Sequence, residues 1–121
     1  MEPVYADVEL INGDDLTLAG KFIITEEEVK RMHVKMLVDA GFIMLAINEK
    51  IQEQLKLPVV EKRKVQFANS HIIECDVVAP VELRYKKVRN WSSAIVLPGN
   101  SQPLIRSILI DDAPVRLPSF R

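Results

Sequence analysis

The sequence is short of several residue types, and each scarcity removes a class of protein. Cys75 is the only cysteine, so an internal disulfide is impossible and a reducing cytoplasm is the expected location. His33 and His71 are the only histidines, and together with Cys75 they lack the paired spacing of a zinc site. We therefore expect neither a metal centre nor any other cofactor.

Charge excess and long apolar runs are also missing. The formal net charge is -1, which gives no bulk attraction to nucleic acid or to an anionic membrane. No apolar run approaches the length of a membrane span, and the opening MEPVYADVEL lacks the pattern of a signal peptide. With 121 residues, 48% of them hydrophobic, the chain fits one globular domain over residues 1–121.

The first third of the chain favours strands. Alternation of apolar and polar residues predicts a strand over Val4–Leu10, NGDD at 12–15 is typical of a turn, and Leu16–Ile24 completes a possible hairpin. Thr25 and Glu28 have capping-box spacing, so either a short helix or a solvated connection can follow, and we favour the connection.

The middle and end of the chain predict further strands around one clear helix. Asn48 stands where a helix N-cap belongs, Ile51 and Leu55 lie one turn apart, and Pro58 stops the helix. The remaining segments are apolar or alternating. They are 33–38 and 43–47, then 65–68 and 72–78 on either side of a tight connection, 81–85 and 91–97 as a further hairpin candidate and, as a strand or a strand breaking into a helical turn, 104–110. About seven or eight strands with one short helix indicate an all-β fold, a small closed or nearly closed barrel.

An aspartate interrupts the apolar run LVDAGFIM at residues 37–44. A lone buried carboxylate is costly unless it is paired or protonated, so a strand that continued into the core would not contain one. The Asp-Ala-Gly triplet at 39–41 therefore marks either a plain surface turn or a loop that presents a carboxylate for chemistry.

An ordered series of features surrounds this triplet. An apolar strand and a short helix ending near LKLP follow it, then come a hairpin with ANS at its tip, the segment APVEL, and VLPG ahead of a Leu-Ile pair. In this order they resemble the retropepsin-like aspartic proteases, notably the small bacterial and cyanobacterial members. The resemblance covers most of the chain, up to about Leu104, and implies a small closed retropepsin-like barrel.

The resemblance also implies roles for individual residues. Asp39 would be the catalytic aspartate in an active-site loop with Ala40 and Gly41. The tip of a flap that closes over substrate would contain Ala68, Asn69 and Ser70, and a second conserved element, Leu104 and Ile105, would pack beneath the active loop.

This chemistry needs two carboxylates, and the chain offers one such loop. Peptide hydrolysis would use a water held between two aspartates that share a proton, so that one acts as base and the other polarises the scissile carbonyl. We therefore expect a homodimer in which Asp39 meets its copy across a two-fold axis, acting on a peptide or protein substrate.

Several positions depart from the family pattern. Ala40 stands where the family has a threonine or serine whose hydroxyl bonds across the dimer axis, and Ser70 and Ala79 stand where glycine is usual. The Leu-Leu-Gly element lacks its glycine, and no final strand is recognisable in the tail. Two functions stay open: an aspartic endopeptidase, weakened or inactivated by Ala40, and a non-catalytic dimeric module that binds peptide or serves a structural role.

Overall fold

The computed structural model describes residues 3–39, 44–66 and 70–106. Within these ranges the chain forms seven strands, two α-helices and one short 3₁₀ helix. In chain order they are β1 (Tyr5–Asn12), α1 (Gly13–Gly20), the 3₁₀ helix (Glu26–Glu28), β2 (Arg31–Val38), β3 (Leu45–Asn48), α2 (Glu49–Leu55), β4 (Val59–Gln66), β5 (Ile72–Tyr85), β6 (Val88–Leu97) and β7 (Leu104–Ile105). The predicted predominance of β structure is confirmed.

The paired strands form a closed ring. The order across the sheet is β1-β2-β7-β3-β6-β5-β4, and an additional β1–β5 pairing joins six of these strands into a ring. Strand β4 lies outside the ring and, among the described residues, pairs with β5 alone. The long strand β5 therefore serves both as a member of the ring and as one arm of a projecting hairpin.

The ring contains two packed groups of buried side chains. The larger joins β1, β2, β5 and α2, with Leu10, Met36, Leu55 and Leu83 among its fully buried members. The smaller, which we call the second cluster, has as its buried members Ala46, Cys75, Val77, Ile95 and Leu97, with Met44, Val65, Ile73 and Leu104 packed against them. Burial of these side chains is the main source of stability in a fold without cross-links.

The predicted second strand is wrong. Residues Leu16–Ile24 do not form the return arm of a hairpin, because helix α1 occupies Gly13–Gly20. The side chain of Asn12 accepts a hydrogen bond from the backbone N–H of Asp15 and so caps the helix, and two aspartates in the first turn complement the helix dipole. The Asn-Gly pair, typical of a hairpin turn, here begins a helix, so the described part of the chain contains two α-helices where one was predicted.

The segment after α1 also differs from the favoured prediction. Glu26–Glu28 form one turn of 3₁₀ helix, preceded by Thr25 in the capping-box arrangement with Glu28. The alternative of a short helix is therefore the correct one, and the capping-box spacing was the signal for it.

Later elements follow the sequence pattern more closely. Helix α2 begins after the cap Asn48 and ends at Leu55, where Lys56 adopts a left-handed conformation ahead of Pro58. The two predicted hairpins are present as β4–β5 and β5–β6, although β5 runs without interruption from Ile72 to Tyr85. A register shift between Val78 and Val81 coincides with the cis peptide bond before Pro80.

Two buried asparagines, Asn12 and Asn48, have the same structural role: each ends a strand and caps the helix that follows. Asn12 ends β1 and caps α1, while Asn48 ends β3 and caps α2 by accepting from the N–H of Ile51. Each side-chain amide also donates across the fold: Asn12 Nδ2 lies 2.9 Å from the carbonyl oxygen of Leu55, and Asn48 Nδ2 lies 2.9 Å from that of Ser101. Each residue therefore holds a helix start and a distant carbonyl at once.

Helix α1 also depends on a close approach at its first residue. A Cβ added at Gly13 would lie 2.5 Å from Trp91 Cζ3 and 2.9 Å from the backbone oxygen of Pro80. Glycine is required at this position because no larger residue fits beneath the Trp91 ring without moving it. No helix within the described ranges is both long and apolar enough to cross a membrane.

We predict that Asn12→Asp destabilises the fold although aspartate is a good N-cap. The carboxylate can still accept from Asp15, but it cannot donate to the buried carbonyl of Leu55. Leaving that acceptor without a partner should cost about 1–3 kcal/mol. Urea unfolding of the variant measures this cost as a lower midpoint at an unchanged slope.

The control for this test is Gln54→Glu, which makes the same amide-to-carboxylate change at an exposed position of α2. It should leave the midpoint nearly unaltered. A stability of Asn12→Asp equal to that of the parent would show that the amide donor of Asn12 contributes nothing.

Candidate active-site region

Asp39 follows directly after β2 and is half-buried. Its backbone N–H donates to the carbonyl oxygen of Ile105 at 2.9 Å, and the preceding N–H of Val38 donates to the oxygen of Val4 at 2.8 Å. Two different segments therefore fix the backbone that presents this carboxylate.

The two-residue strand β7 lies between the strands that precede and follow the triplet. Leu104 and Ile105 pair in parallel with Leu37 and Val38, and Leu104 also pairs in antiparallel fashion with Ala46 of β3. Ile105 is fully buried, which is the environment its apolar side chain favours. The chain therefore leaves β2 at Asp39 and re-enters the same patch of sheet in β3, on the other side of Leu104.

The predicted site residues are only partly within the described ranges. Ala40 and Gly41 lie outside them, as do Ala68 and Asn69 of the predicted flap. Asp39, Ser70, Leu104 and Ile105 are described, and the last two adjoin Asp39. The roles assigned to these residues stay predictions.

In hairpin β4–β5, strand β4 lies outside the ring, and the part of the predicted flap that the structure describes is Ser70. The last pairing of the hairpin joins Gln66 to Ile72. Ser70, between them, is exposed and has a φ of +64°, in the left-handed region that favours glycine. The glycine usual at this position of the family pattern would adopt this backbone without the strain that serine carries.

The second cluster connects this hairpin to the candidate loop. Val65 and Ile73 are cross-strand partners in the hairpin, and both pack in the cluster that includes Met44 and Leu104. Met44 follows the triplet in sequence, and Leu104 is the neighbour of the residue that binds Asp39. One face of the hairpin thus lies against the same apolar group as the segments that flank the aspartate.

Charged groups also occur on this face. The guanidinium of Arg63 places Nη1 3.9 Å from Met44 Sδ and Nη2 2.9 Å from Glu61 Oε1. Neither Arg63 nor Met44 was among the candidate residues predicted from the sequence. Strand alternation was the available signal, because it puts Arg63 on the same face of β4 as Val65.

Cys75 lies in the second cluster, buried beneath the hairpin. Burial raises the pKa of its thiol, and the neighbouring Asp76 carboxylate raises that pKa further. The raised pKa leaves little thiolate at neutral pH, so the residue is a packing element rather than a nucleophile. Within the ranges the structure describes, no group of three or more His, Cys, Asp or Glu side chains could hold a metal ion.

No family model matches this sequence, and a search of curated proteins gives no significant match. The class that the structure defines is therefore a broad one: a mostly β protein with a ring of six paired strands and a half-buried aspartate where β2 leaves that ring.

We predict that Cys75 is protected from thiol reagents until the protein unfolds. With a thiol that is both buried and raised in pKa, labelling by Ellman's reagent at pH 7.5 should be at least about a hundredfold slower in the native protein than in urea. The double variant Cys75→Ala/Ser70→Cys, with its thiol at an exposed position, should label rapidly in both conditions. Equally fast labelling of native and unfolded parent protein would contradict the packing seen for Cys75.

Proposed function

We propose that this protein is a retropepsin-like aspartic endopeptidase that acts as a homodimer, with Asp39 of each chain as the catalytic carboxylate. The observation that carries the proposal is the backbone bond from Asp39 to Ile105, made where β7 is inserted between β2 and β3. This arrangement supports a catalytic loop because it holds a carboxylate at a strand end on a fixed, packed base.

The hairpin supports the same reading. A cover for an extended peptide has to project from the body of the fold while its base stays attached, and β4–β5 meets both conditions. Its anchoring side chains, Val65 and Ile73, share the second cluster with Met44 and Leu104, so the cover would stand over the aspartate loop. A peptide bound beneath it would lie beside Asp39.

The chemistry and the surface around the aspartate both support a dimer. One chain supplies one such loop, whereas activation of a water between carboxylates needs two. Val4 is 63% exposed and Tyr5 44% exposed at the end of β1 that adjoins Val38, so apolar surface borders the aspartate. Contact between two copies through this end would bury that surface and bring the two Asp39 residues together.

In the proposed reaction, the ionised member of the pair accepts a proton from the water, which attacks the scissile carbonyl carbon. The protonated member donates a hydrogen bond to the carbonyl oxygen and later passes its proton toward the leaving amine. The rigid backbone at Asp39 keeps each carboxylate oriented, which is the contribution that the fold makes to the rate.

One sequence observation favours a second candidate, a non-catalytic dimeric module that binds peptide or assembles. Ala40 offers no hydroxyl for a bond across the dimer axis. Without that bond the two loops would be held less tightly, and a dimer could retain the peptide groove while losing activity. The two candidates differ in whether the Asp39 carboxylate is needed for peptide cleavage.

We predict that Asp39→Asn lowers the rate of peptide cleavage by about 10²–10⁴-fold, since it removes the proton transfers that the carboxylate would perform. The assay maps cleavage of a random decapeptide library by mass spectrometry. Asp7→Asn, an exposed aspartate on β1, is the matched control and should retain full activity. Cleavage by Asp39→Asn at the parental rate would end the catalytic assignment.

Mixtures of the two proteins test the dimer in the same assay. After co-refolding at a constant total concentration, activity should fall with the square of the parental fraction, to about one quarter at an equal mixture, because only parental pairs have two carboxylates. A linear fall would show that one chain is sufficient.

We further predict that Ala40→Thr raises the activity. The new hydroxyl can bond across the dimer axis, and each such bond should contribute about 0.5–1.5 kcal/mol to dimer stability. Analytical ultracentrifugation and the cleavage assay measure the two effects. Ala40→Val, which has the same shape without the hydroxyl, should give no comparable gain. An equal gain from valine would attribute the effect to packing and not to the hydrogen bond.

A further inference from the structure

Three consecutive basic residues on β4 differ in what they face. Lys62 and Lys64 stand opposite Asp76 and Glu74 in the register with β5, so an acidic residue lies across the hairpin from each lysine. Arg63 stands opposite Cys75, which the raised thiol pKa keeps neutral. Of the three, Arg63 is therefore the cation that stands opposite an uncharged residue, and its ion pair is with Glu61 on its own strand.

The Arg63 side chain also lies on the face that meets the candidate site. Alternation along β4 puts it on the side of Val65, and its Nη1 reaches to 3.9 Å from Met44 Sδ. Met44 and Leu104 pack in the same cluster, and the next residue, Ile105, accepts the backbone bond from Asp39. A short chain of contacts therefore leads from the guanidinium to the aspartate.

The guanidinium keeps capacity for another acceptor. Its carboxylate partner among the described residues is Glu61, two positions away on the same strand, with an Nη2–Oε1 distance of 2.9 Å. Both side chains are about half exposed, so water competes with this pair and the bond is weak. Arginine has five N–H donors in a planar fork, and a carboxylate from a bound peptide can take those that Glu61 does not.

From this placement we infer that Arg63 is a specificity-determining residue that selects peptides with an acidic side chain a few positions from the bond beside Asp39. This inference rests on the proposed function in one respect, namely that the peptide binds beside Asp39. It concerns binding as well as cleavage, and so it holds for both candidate functions. Because the ion pair would be partly solvated, the preference for Glu over Gln should be about two- to fivefold.

The experiment measures binding and cleavage separately. Three random decapeptide libraries, each with one fixed position occupied by Glu, Gln or Lys, are captured on immobilised Asp39→Asn protein and quantified by mass spectrometry. The same libraries are then cleaved by the parent chain. Arg63→Gln should abolish the preference for Glu, and Arg63→Glu should replace it with a preference for Lys. Lys64→Gln, at the neighbouring position on the opposite face, is the matched control and should keep the parental preference.

The outcomes separate this inference from the proposed function. Selective capture of Glu peptides that depends on Arg63, without any cleavage by the parent, would support the inference and reject the endopeptidase. Cleavage that depends on Asp39 but shows no preference for Glu peptides would support the endopeptidase and reject the role of Arg63. Capture without a preference for Glu, or a preference that Arg63→Gln leaves intact, would overturn the role of Arg63. Circular dichroism of each variant checks that its fold is unchanged.

Discussion

Strand β7, the shortest strand among the described residues, fixes the backbone position of Asp39. Leu104 and Ile105 take up the space between β2 and β3, and through them the ring of six strands is closed. Without this strand, β2 would have a free edge at its end and Asp39 would lose the backbone acceptor that fixes it. Ile105 therefore has two roles: its side chain is buried in the core, and its carbonyl oxygen accepts the backbone hydrogen bond that holds Asp39 in place.

The buried asparagines Asn12 and Asn48 likewise have two roles each, one at the start of a helix and one at a distant carbonyl. An amide can accept and donate at the same time, whereas an ionised aspartate at an N-cap would satisfy the helix and leave the distant carbonyl without a donor. Each asparagine ties the start of one helix to a segment more than forty residues away. This linkage fastens α1 and α2 to a ring whose other contacts are mostly apolar.

The sequence predicted the β-rich fold, helix α2 and both later hairpins, because each has a strong local signal in its periodicity or its cap. It failed at α1, where Leu16 and Leu18 alternate with Thr17 and Ala19 as in a strand. The local helix signals, Asn12 as N-cap and two aspartates in the first turn, compete with the hairpin signal of the Asn-Gly pair, and two tertiary contacts add to them: the amide of Asn12 reaches Leu55, and Gly13 fits beneath Trp91. Neither contact can be read from a window of neighbouring residues.

For the candidate site, the resemblance named Asp39 and the Leu104–Ile105 pair and implied that they pack together. No local pattern could imply this contact, since more than sixty residues separate them. The local pattern also passed over Arg63, which looks like one member of a solvated basic run. Pairing distinguishes it: the register sets its two neighbours against acids and leaves Arg63 over Met44. Charge along a strand therefore has no functional meaning until the opposite strand is known. Here the opposite strand distinguishes two cations that stand opposite acidic residues from a third, Arg63, which stands opposite Cys75 and reaches Met44, five residues after Asp39.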